Sequence, residues 1–326
     1  MDLIESYRDE LKLIRGWWQG LWSGILVLLL ILLPWYADEH LIYVATLIFI
    51  TSVGVQGQNI LIGYTGQISL GQAGFLSIGA FTFGHLSRAG LPLVLALLCA
   101  GVSAGLFGLV VGFPSLRLKG PYLAIATLGF GIAVYQFLTG YEFLSGGRMG
   151  LVVPRLSPLF GLSREVTFYY FSLLLGIGFT LMTFNLVSSY LGRAFIAIRD
   201  NDIAAEAMGV RLTQYKLLSF SVSSFYTGVH GAMYGLTLGF LEPQMFGFME
   251  TITMFIAVII GGLASVEGSI FGAAFVILIP QIFSESRDMI PVIYGVTLIL
   301  IMIFEPLGLA GRWLKIRLYF RHWPFR

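Results

Sequence analysis

The sequence predicts an all-α integral membrane protein, because it is strongly apolar and its apolar residues form uninterrupted runs. Of the 326 residues, 57% are hydrophobic and only 11% are charged, whereas a soluble domain carries roughly 25% charged residues. The runs at residues 21–33 and 91–98 lack the apolar–polar alternation of a transmembrane barrel. Inside a bilayer every backbone polar group must be paired within the protein, so such runs indicate membrane-spanning helices.

A helix needs about 20 mostly apolar residues to cross the hydrocarbon core of a bilayer. Applied along the chain, this length predicts about ten transmembrane helices, near residues 20–36, 41–62, 71–86, 91–113, 122–139, 166–190, 215–240, 251–262, 268–283 and 290–304. Three short runs lie beside glycine-rich segments, namely those at 71–86, 251–262 and 268–283. No linker or low-complexity segment separates the spans, so we expect one transmembrane domain over residues 1–326.

The basic residues predict the orientation of these spans. If successive spans alternate in direction, 14 of the 19 basic residues fall on one side of the membrane, and the other side holds Arg88, Arg148, Arg155, Arg164 and Arg287. Cytoplasmic connections carry the excess of lysine and arginine, so we expect both termini in the cytoplasm. The long connection at residues 140–165 is then extracytoplasmic, and the one at 191–214 is cytoplasmic.

Two glycine-rich segments are expected to break helices. They read GYTGQISLGQAGFLSIG at residues 63–79 and GGLASVEGSIFG at residues 261–272. Broken helices line the substrate sites of many transporters, which makes the first segment a candidate for the substrate path. Alternatively, its glycines only allow tight packing and its polar side chains pair with free backbone groups. The candidate path residues are Gly66, Gln67, Ser69 and Gln72.

The sequence lacks the motifs of common catalytic and metal sites. It contains no GxxxxGK[ST] phosphate loop, no HExxH and no CxxC, so we expect no nucleotide hydrolysis by this chain, no catalytic residue, no cofactor and no metal site. His85 and His230 fall within predicted spans, where each is either bonded to a neighbouring helix or part of a proton relay. A self-contained secondary carrier, which would use such a relay, is the alternative from another functional class.

The predicted cytoplasmic connection at 191–214 contains the signals of a short helix outside the membrane. Asp200 or Asn201 can cap its start, Asp202 and Glu206 suit the helix dipole, and Gly209 is a natural C-cap. This helix either rests on the membrane interface or docks into a separate subunit. Interfacial helices have large apolar residues on one face and basic residues on the other. This helix instead contains the small residues Ala204 and Ala205, which favour docking into a subunit.

The same connection resembles a known motif, and other segments resemble the same family. AAEAMG at 204–209 looks like the core of the EAAxxxG coupling motif of ABC importer permeases, with Ile203 where that motif has Glu. Five longer stretches resemble the LivM-type permeases of branched-chain amino acid importers, within the LivH/LivM/RbsC-like permease family. They are GYTGQISLGQAGFLSIGAF (63–81), LRLKGPYLAIATLGFG (116–131), GRAFIAIRDNDIAAEAMGV (192–210), GGLASVEGSIFGAAF (261–275) and EPLGLAG (305–311).

This resemblance, which spans residues 41–311, implies a permease subunit of a branched-chain amino acid importer in the bacterial cytoplasmic (inner) membrane. The implied partners are a second, LivH-like permease subunit, two cytoplasmic ATPase subunits that hydrolyse ATP, and an extracytoplasmic binding protein that docks on residues 140–165; nucleic acid is not among them. Urea or another amide is the alternative substrate within the family. The implied ATPase-coupling residues are Arg199, Asp200, Asn201, Ala204, Ala205, Glu206 and Gly209.

Overall fold

A computed structural model describes residues 17–118, 120–147, 150–154, 161–283 and 285–321 of the chain. The first half contains α1 (Trp17–Tyr36), α2 (Glu39–Asn59), a π turn (Ile60–Tyr64), α3 (Gln72–Arg88), α4 (Leu93–Ser115), α5 (Pro121–Gly140), α6 (Glu142–Ser145) and β1 (Leu151–Val152). The second half contains α7 (Arg164–Ser188), α8 (Tyr190–Asp200), α9 (Asp202–Ala207), α10 (Leu212–Leu238), β2 (Phe240–Leu241), α11 (Phe248–Gly261), α12 (Val266–Ile282), α13 (Ile290–Phe304) and α14 (Gly308–Arg321), with 3₁₀ turns at Pro243–Phe246 and Arg287–Met289.

The expected all-α membrane fold is confirmed. Within the described residues, four helices are long and apolar enough to cross a membrane: Glu39–Tyr64, Leu93–Pro114, Pro121–Gly140 and Arg164–Ser188. A fifth is added if α13 and the first part of α14, which meet at an angle of 47°, form one span. Shorter apolar helices lie at Gly24–Tyr36, Phe248–Gly261 and Val266–Ile282. The count of about ten spans goes beyond this set and stays a prediction.

Helix α10 lies at the centre of the bundle and packs against α2, α3 and α4. Small residues make these contacts close, as is usual where helices pack inside a membrane. A Cβ on Gly228 of α10 would lie 2.8 Å from the carbonyl oxygen of Ala100 on α4, and one on Gly57 of α2 would lie 2.5 Å from Cβ of Tyr226. Without a side chain at these two glycines, the backbones of α2 and α4 approach α10 directly.

The connections gather at two ends of the bundle. At one end, Leu151 of β1 pairs with Leu241 of β2 in an antiparallel register, and His85 Nε2 lies 2.8 Å from the carbonyl oxygen of Leu144. The described part of the predicted connection 140–165 therefore folds back on the ends of α3 and α10. Arg148, Arg155 and Pro158 of this connection, like residues 1–16 and 322–326 at the termini, lie outside the described residues.

Candidate functional site

The connection between α2 and α3, which we name the first break, lies at the other end of the bundle and contains residues 65–71 of the first glycine-rich segment. Helix α2 ends in the π turn Ile60–Tyr64, and the chain then runs without regular structure to the start of α3 at Gln72. Two of the candidate path residues bond to α10 here. Gln67 Nε2 donates to Ser219 Oγ at 2.8 Å, and the Gln72 amide donates to Ser223 Oγ at 3.3 Å and accepts from Thr227 Oγ1 at 2.7 Å.

Hydroxyl groups from two further helices pair with the backbone of this break. Thr127 Oγ1 on α5 accepts from the backbone N–H of Leu70 at 2.9 Å, and Thr251 Oγ1 on α11 accepts from that of Ala73 at 3.2 Å. Ser69 is fully buried, and its Oγ accepts from the backbone N–H of Gly71. In this conformation Ser69 therefore pairs with the backbone at the start of α3, whereas Gln72 bonds to side-chain hydroxyls of α10.

The second break lies between α11 and α12, and one side chain of α2 holds it. The Asn59 amide nitrogen donates towards Ser265 O and Ser269 Oγ, each at 2.9 Å, and lies 3.3 Å from Gly262 O. Its Oδ1 accepts from the backbone N–H of Ala264 at 2.9 Å. An asparagine amide has two N–H groups and one carbonyl, so this break uses all the hydrogen-bonding groups of Asn59.

The predicted coupling segment forms two helices where the sequence predicts one short helix. Helix α8 comes first. Ser189 caps its start, because the Ser189 Oγ accepts a hydrogen bond from the backbone N–H of Leu191 at 3.1 Å. It buries Ala194, Phe195 and Ile198 against the bundle. Phe195 packs in a cluster with residues of α2, the π turn and α10; they are Val53, Ile60, Tyr64 and Tyr226. This buried face fixes α8 to the bundle.

Helix α9 has the caps that the sequence predicts. Asn201 is the N-cap, since its Oδ1 accepts from the backbone N–H of Ala204 at 3.0 Å. At the other end Gly209 has a φ of +87°, and the N–H of Val210 donates to Ala205 O at 3.0 Å. This is the left-handed termination that glycine adopts most readily. Helix α9 therefore ends in a fixed geometry only one and a half turns after it begins.

Most of α9 faces away from the rest of the chain. Among its six described residues, Ala205 is the buried one. Two large apolar side chains are exposed instead, Ile203 by 73% on α9 and Met208 by 86% directly after it. Ala204 and Glu206 are also exposed. A short helix with exposed apolar side chains beside a buried anchor has the form of a docking surface.

The coupling segment and the first break line one pocket of about 450 Å³. Arg199 is one of its lining residues. Its Nη1 donates to the carbonyl oxygen of Gly63 at 3.2 Å, and its Nη2 pairs with Asp200 Oδ1 at 2.9 Å. Two predicted sets of site residues therefore meet, since Gly66 and Gln67 of the candidate path and Arg199, Asp200 and Asn201 of the coupling segment line the same pocket. Its remaining lining residues are Thr65, Leu118, Gly120, Leu123, Ile198, Asp202, Ile203 and Lys216.

Comparison with known proteins assigns this chain to a family. Residues 39–304 match the family model described as "Branched-chain amino acid transport system / permease component". The chain belongs to this family. As a member, it is a membrane permease component of a transport system and not an enzyme.

Individual relatives agree with the family assignment. The permease is 31% identical to the high-affinity branched-chain amino acid transport system permease protein LivM of Escherichia coli over 317 residues, which cover 89% of this chain and 75% of the relative. It is 25% identical to the probable LivM of Methanocaldococcus jannaschii, covering 67% of this chain and 68% of that one. It is 26% identical to the autoinducer 2 import system permease protein LsrC of Salmonella typhimurium, covering 86% and 83%. No solved structure matches the chain.

Sequence reasoning missed several residues of the permease that hold the two breaks. Asn59 is the most connected of them, and its only local signal is a polar residue within an apolar helix beside glycine. Gly63 is the second, because a Cβ there would collide with Asn59 Oδ1 and with the backbone nitrogen of Ala264. The others are hydroxyl residues on α5, α10 and α11, whose partners lie more than 50 positions away; they are Thr127, Ser219, Ser223, Thr227 and Thr251.

The two histidines within predicted spans have different surroundings. His85 is bonded to the carbonyl oxygen of Leu144, which is the neighbouring-segment bond that the sequence leads one to expect. His230 is buried against Gly54 of α2, and its Nδ1 has no partner within the described part of the chain. A helix-to-helix bond is therefore found for His85, while no such bond is described for Nδ1 of His230.

Proposed function

We propose that this permease is the membrane-spanning subunit of an ABC importer that carries branched-chain amino acids across the bacterial cytoplasmic membrane, and that segment 191–214 docks on an ATPase subunit. The observation behind this proposal is the exposed α9 on the anchored α8. Helix α8 is held on the bundle by Phe195, and the following α9 and its end expose Ile203 and Met208, which offers a surface that a partner groove can cover. The chain has no phosphate loop, so the energy source is a separate subunit.

We propose the specific partners from the membership of this family. We assign to the importer a second, LivH-like permease subunit, two cytoplasmic ATPase subunits and an extracytoplasmic binding protein. The curated relatives are named as permeases of import or transport systems for small solutes. Branched-chain amino acids are the solute because the family model and the LivM relatives share that description.

We further propose one domain with about ten spans and both termini in the cytoplasm. In that arrangement the connections at 63–71, 113–122, 191–214 and 262–268 all lie on the cytoplasmic side. The pocket lined by Gly66, Gly120 and Asn201 supports this grouping, because it joins three of the four connections. The Asn59 bonds add the fourth. On the opposite side, the pairing of β1 with β2 links 140–165 to the end of α10.

The coupling residues have different expected tasks in this proposal. Arg199 and Asn201 hold the segment, one through Gly63 and the other as a cap, while Glu206 and Ala204 are exposed for contact with the ATPase. Gly209 ends the contact helix. The remaining members, Asp200 and Ala205, pair with Arg199 and pack on the bundle, respectively.

The candidate path residues have two kinds of surroundings. Gly66 and Gln67 border the pocket, while Ser69 and Gln72 are bonded within the bundle in this conformation. We propose that these four residues contact the amino acid when α3 moves away from α10 during transport. Their amide and hydroxyl groups suit the carboxylate and ammonium of a zwitterion.

Co-purification tests the docking surface directly. We would purify the permease in mild detergent with its neighbouring gene products, comparing wild type with Glu206→Arg and Gly209→Arg. A misplaced charge at an interface core costs several kcal/mol, so we expect the co-eluting ATPase to fall by roughly tenfold or more. Glu142→Arg is the matched control, because it makes the same charge change on an exposed residue at the other end of the bundle.

Two outcomes would overturn the proposal. If wild-type permease elutes without an ATPase and still moves L-leucine into vesicles that contain no ATP, the protein is a secondary carrier. If the ATPase remains bound in both α9 variants while Glu142→Arg releases it, the docking surface lies elsewhere. Uptake of L-leucine measured against urea in the same vesicles distinguishes the amino acid importer from an amide importer.

A further inference from the structure

Asn59 occupies a position in α2 where an amide is expensive unless it is fully bonded. Its side chain is 1% exposed, and it lies in a helix that is apolar and long enough to cross a membrane. A buried polar group without partners costs several kcal/mol in such surroundings. Asn59 meets this requirement with groups that all belong to the second break, which lies about 200 residues further along the chain.

The break that Asn59 holds has a strained backbone. Ala264 has a φ of +56°. Among the described residues other than glycine, it is the one with a positive φ. Side chains with a Cβ rarely adopt this conformation, and they keep it only where neighbouring groups enforce it. The bond from the Ala264 N–H to Asn59 Oδ1 is such a constraint. The position of α2 and the shape of the second break are therefore tied together.

One turn beyond Asn59, the same helix is in contact with the coupling segment. Arg199 Nη1 donates to the carbonyl oxygen of Gly63 at 3.2 Å, and a Cβ on Gly66 would lie 3.1 Å from Cγ of Arg199. Gly63 in turn lies directly on Asn59 Oδ1 and Ala264. If α8 and α9 are displaced, the movement therefore reaches the π turn first and the second break next.

The second break leads back to the candidate path. Helix α11 ends at Gly261 within this break, and its first turn contains Thr251, whose hydroxyl accepts from the backbone N–H of Ala73 at the start of α3. The described contacts thus run from Arg199 to Gly63, from Gly63 to Asn59 and Ala264, and along α11 to the first turn of α3.

We propose that Asn59 is a positioning residue that transmits movement of the coupling segment to α11 and so to the substrate path. This proposal rests on the proposed function, because it takes segment 191–214 to be the part that the ATPase moves. Coupling between distant sites travels through packed side chains and hydrogen bonds that connect rigid elements. Asn59 is the residue of α2 that bonds to the second break, and it lies one turn before Gly63, whose carbonyl oxygen accepts from Arg199 of the coupling segment.

The test compares two buried amides of the same helix. Asn59→Ala removes the bonds to the second break. Gln56→Ala is the control, since Gln56 is fully buried and its amide bonds instead to α7, with Nε2 donating to Thr180 Oγ1 at 3.0 Å and Oε1 accepting from Thr183 Oγ1 at 2.9 Å. Both variants are reconstituted in proteoliposomes with the other importer subunits and the binding protein. The measured quantities are L-leucine uptake, ATP hydrolysis and the ratio between them.

We expect Asn59→Ala to keep the ATPase bound and hydrolysing ATP, with a fall of about tenfold in L-leucine moved per ATP, while Gln56→Ala keeps the wild-type ratio. A milder variant, Ser269→Ala, removes one acceptor of the Asn59 amide and is used if Asn59→Ala is not recovered folded. We expect it to lower the same ratio by a smaller factor.

The inference is overturned if uptake and ATP hydrolysis fall in parallel in these variants, because Asn59 would then only stabilise the fold. An equal fall of the ratio in Gln56→Ala would also overturn it. Failure of the proposed function looks different, since wild-type permease would then bind no ATPase at all.

Discussion

The two glycine-rich breaks obtain partners for their backbone groups in different ways. At the first break, hydroxyls from two separate helices accept from the N–H groups of Leu70 and Ala73, and Gln67 and Gln72 bond to α10. At the second break, one residue, Asn59, supplies a donor and an acceptor for the segment 262–265. The first break is thus held by separate hydrogen bonds from several residues, whereas the second is held by several hydrogen bonds from one residue, Asn59.

Because of this difference, the two breaks are expected to change shape in different ways. A set of independent bonds can be exchanged one at a time, which suits a segment proposed to open for a solute. A single amide with several partners holds its segment as a unit, so that moving α2 moves the second break with it. The first break is therefore expected to tolerate single substitutions, and the second is expected to be sensitive at one point.

The largest expected effect comes from Gly63→Ala. The added Cβ would collide with Asn59 Oδ1 and with the Ala264 backbone, so the helix must shift and the Asn59 bonds must break. Overpacking of this kind costs typically 1–3 kcal/mol, and the lost bonds add to that. We expect little folded protein on size-exclusion chromatography in mild detergent.

Gly129→Ala is the control for this substitution, because it adds the same methyl group to helix α5 where no atom lies within 4 Å. Alanine favours helix over glycine by roughly 0.5–1 kcal/mol, so this variant should be as stable as wild type or slightly more so. If Gly63→Ala is also recovered in wild-type yield, the second break is not the sensitive point and the contrast between the breaks is wrong.

The sequence predicts features that depend on close neighbours better than features that depend on distant ones. The caps of α9 at Asn201 and Gly209 follow from residues within four positions. The role of Asn59 depends on partners 203 to 210 residues away, and the bond from Arg199 to Gly63 spans 136 residues. No periodicity or spacing in a single sequence indicates such pairs, which is why the junction between the two breaks was not predicted.

A smaller effect is expected from Thr127→Val at the first break. The substitution keeps the shape of the side chain but leaves the backbone N–H of Leu70 without its acceptor. Single hydrogen bonds inside membrane proteins average about 0.6 kcal/mol and reach about 1.7, so we expect the free energy of unfolding to fall by about 1 kcal/mol. Unfolding in mixed detergent with SDS measures this loss.

Thr139→Val, on the same helix, is the matched control for Thr127→Val. Thr139 Oγ1 donates to the carbonyl oxygen of Tyr135 one turn earlier and is exposed, so its loss should be barely measurable. Thr251→Val should resemble Thr127→Val, because it removes the acceptor of one neighbouring N–H. A loss of several kcal/mol in either variant would mean that the first break, too, depends on one centre.

A still smaller effect concerns Glu305, in the connection between α13 and α14 that packs on the second break. A Cβ on Gly262 would lie 2.7 Å from the carbonyl oxygen of Leu307 in this connection. Hydrogen bonding from Lys315, aided by Arg312, holds the pKa of the Glu305 carboxyl below its ordinary value of 4.5. A depressed pKa stabilises the folded state above the ordinary value, and this contribution is lost as the pH falls through the depressed one.

Thermal unfolding between pH 7 and pH 3 tests this coupling. Wild-type permease should lose slightly more stability below pH 4.5 than Glu305→Gln, which has no carboxyl to protonate. At pH 7 the wild type should be the more stable of the two, and added salt should narrow the gap because Lys315 and Arg312, the basic partners of Glu305, are exposed. If the two proteins have identical pH profiles, the ion pairs of Glu305 do not contribute to stability, and this connection does not help to stabilise the second break.

The smallest loss of stability is expected from Gln58→Leu, beside Asn59 in the same helix. Gln58 is fully buried, and neither of its amide atoms has a partner within the described part of the chain. An unpaired buried amide is unfavourable, and an apolar side chain of similar size removes that cost. We therefore expect the free energy of unfolding to stay the same or rise by about 1 kcal/mol, whereas Asn59→Leu should lower it by roughly 2–4 kcal/mol through the loss of several bonds.

Unfolding in SDS and L-leucine uptake, measured together on these two variants, separate structural amides from functional ones. Equal losses of stability would mean that Gln58 is bonded as fully as Asn59, which would remove the contrast between adjacent residues. If Gln58→Leu is stable but takes up no L-leucine, its unpaired amide serves the solute, and the substrate path extends from the first break into α2.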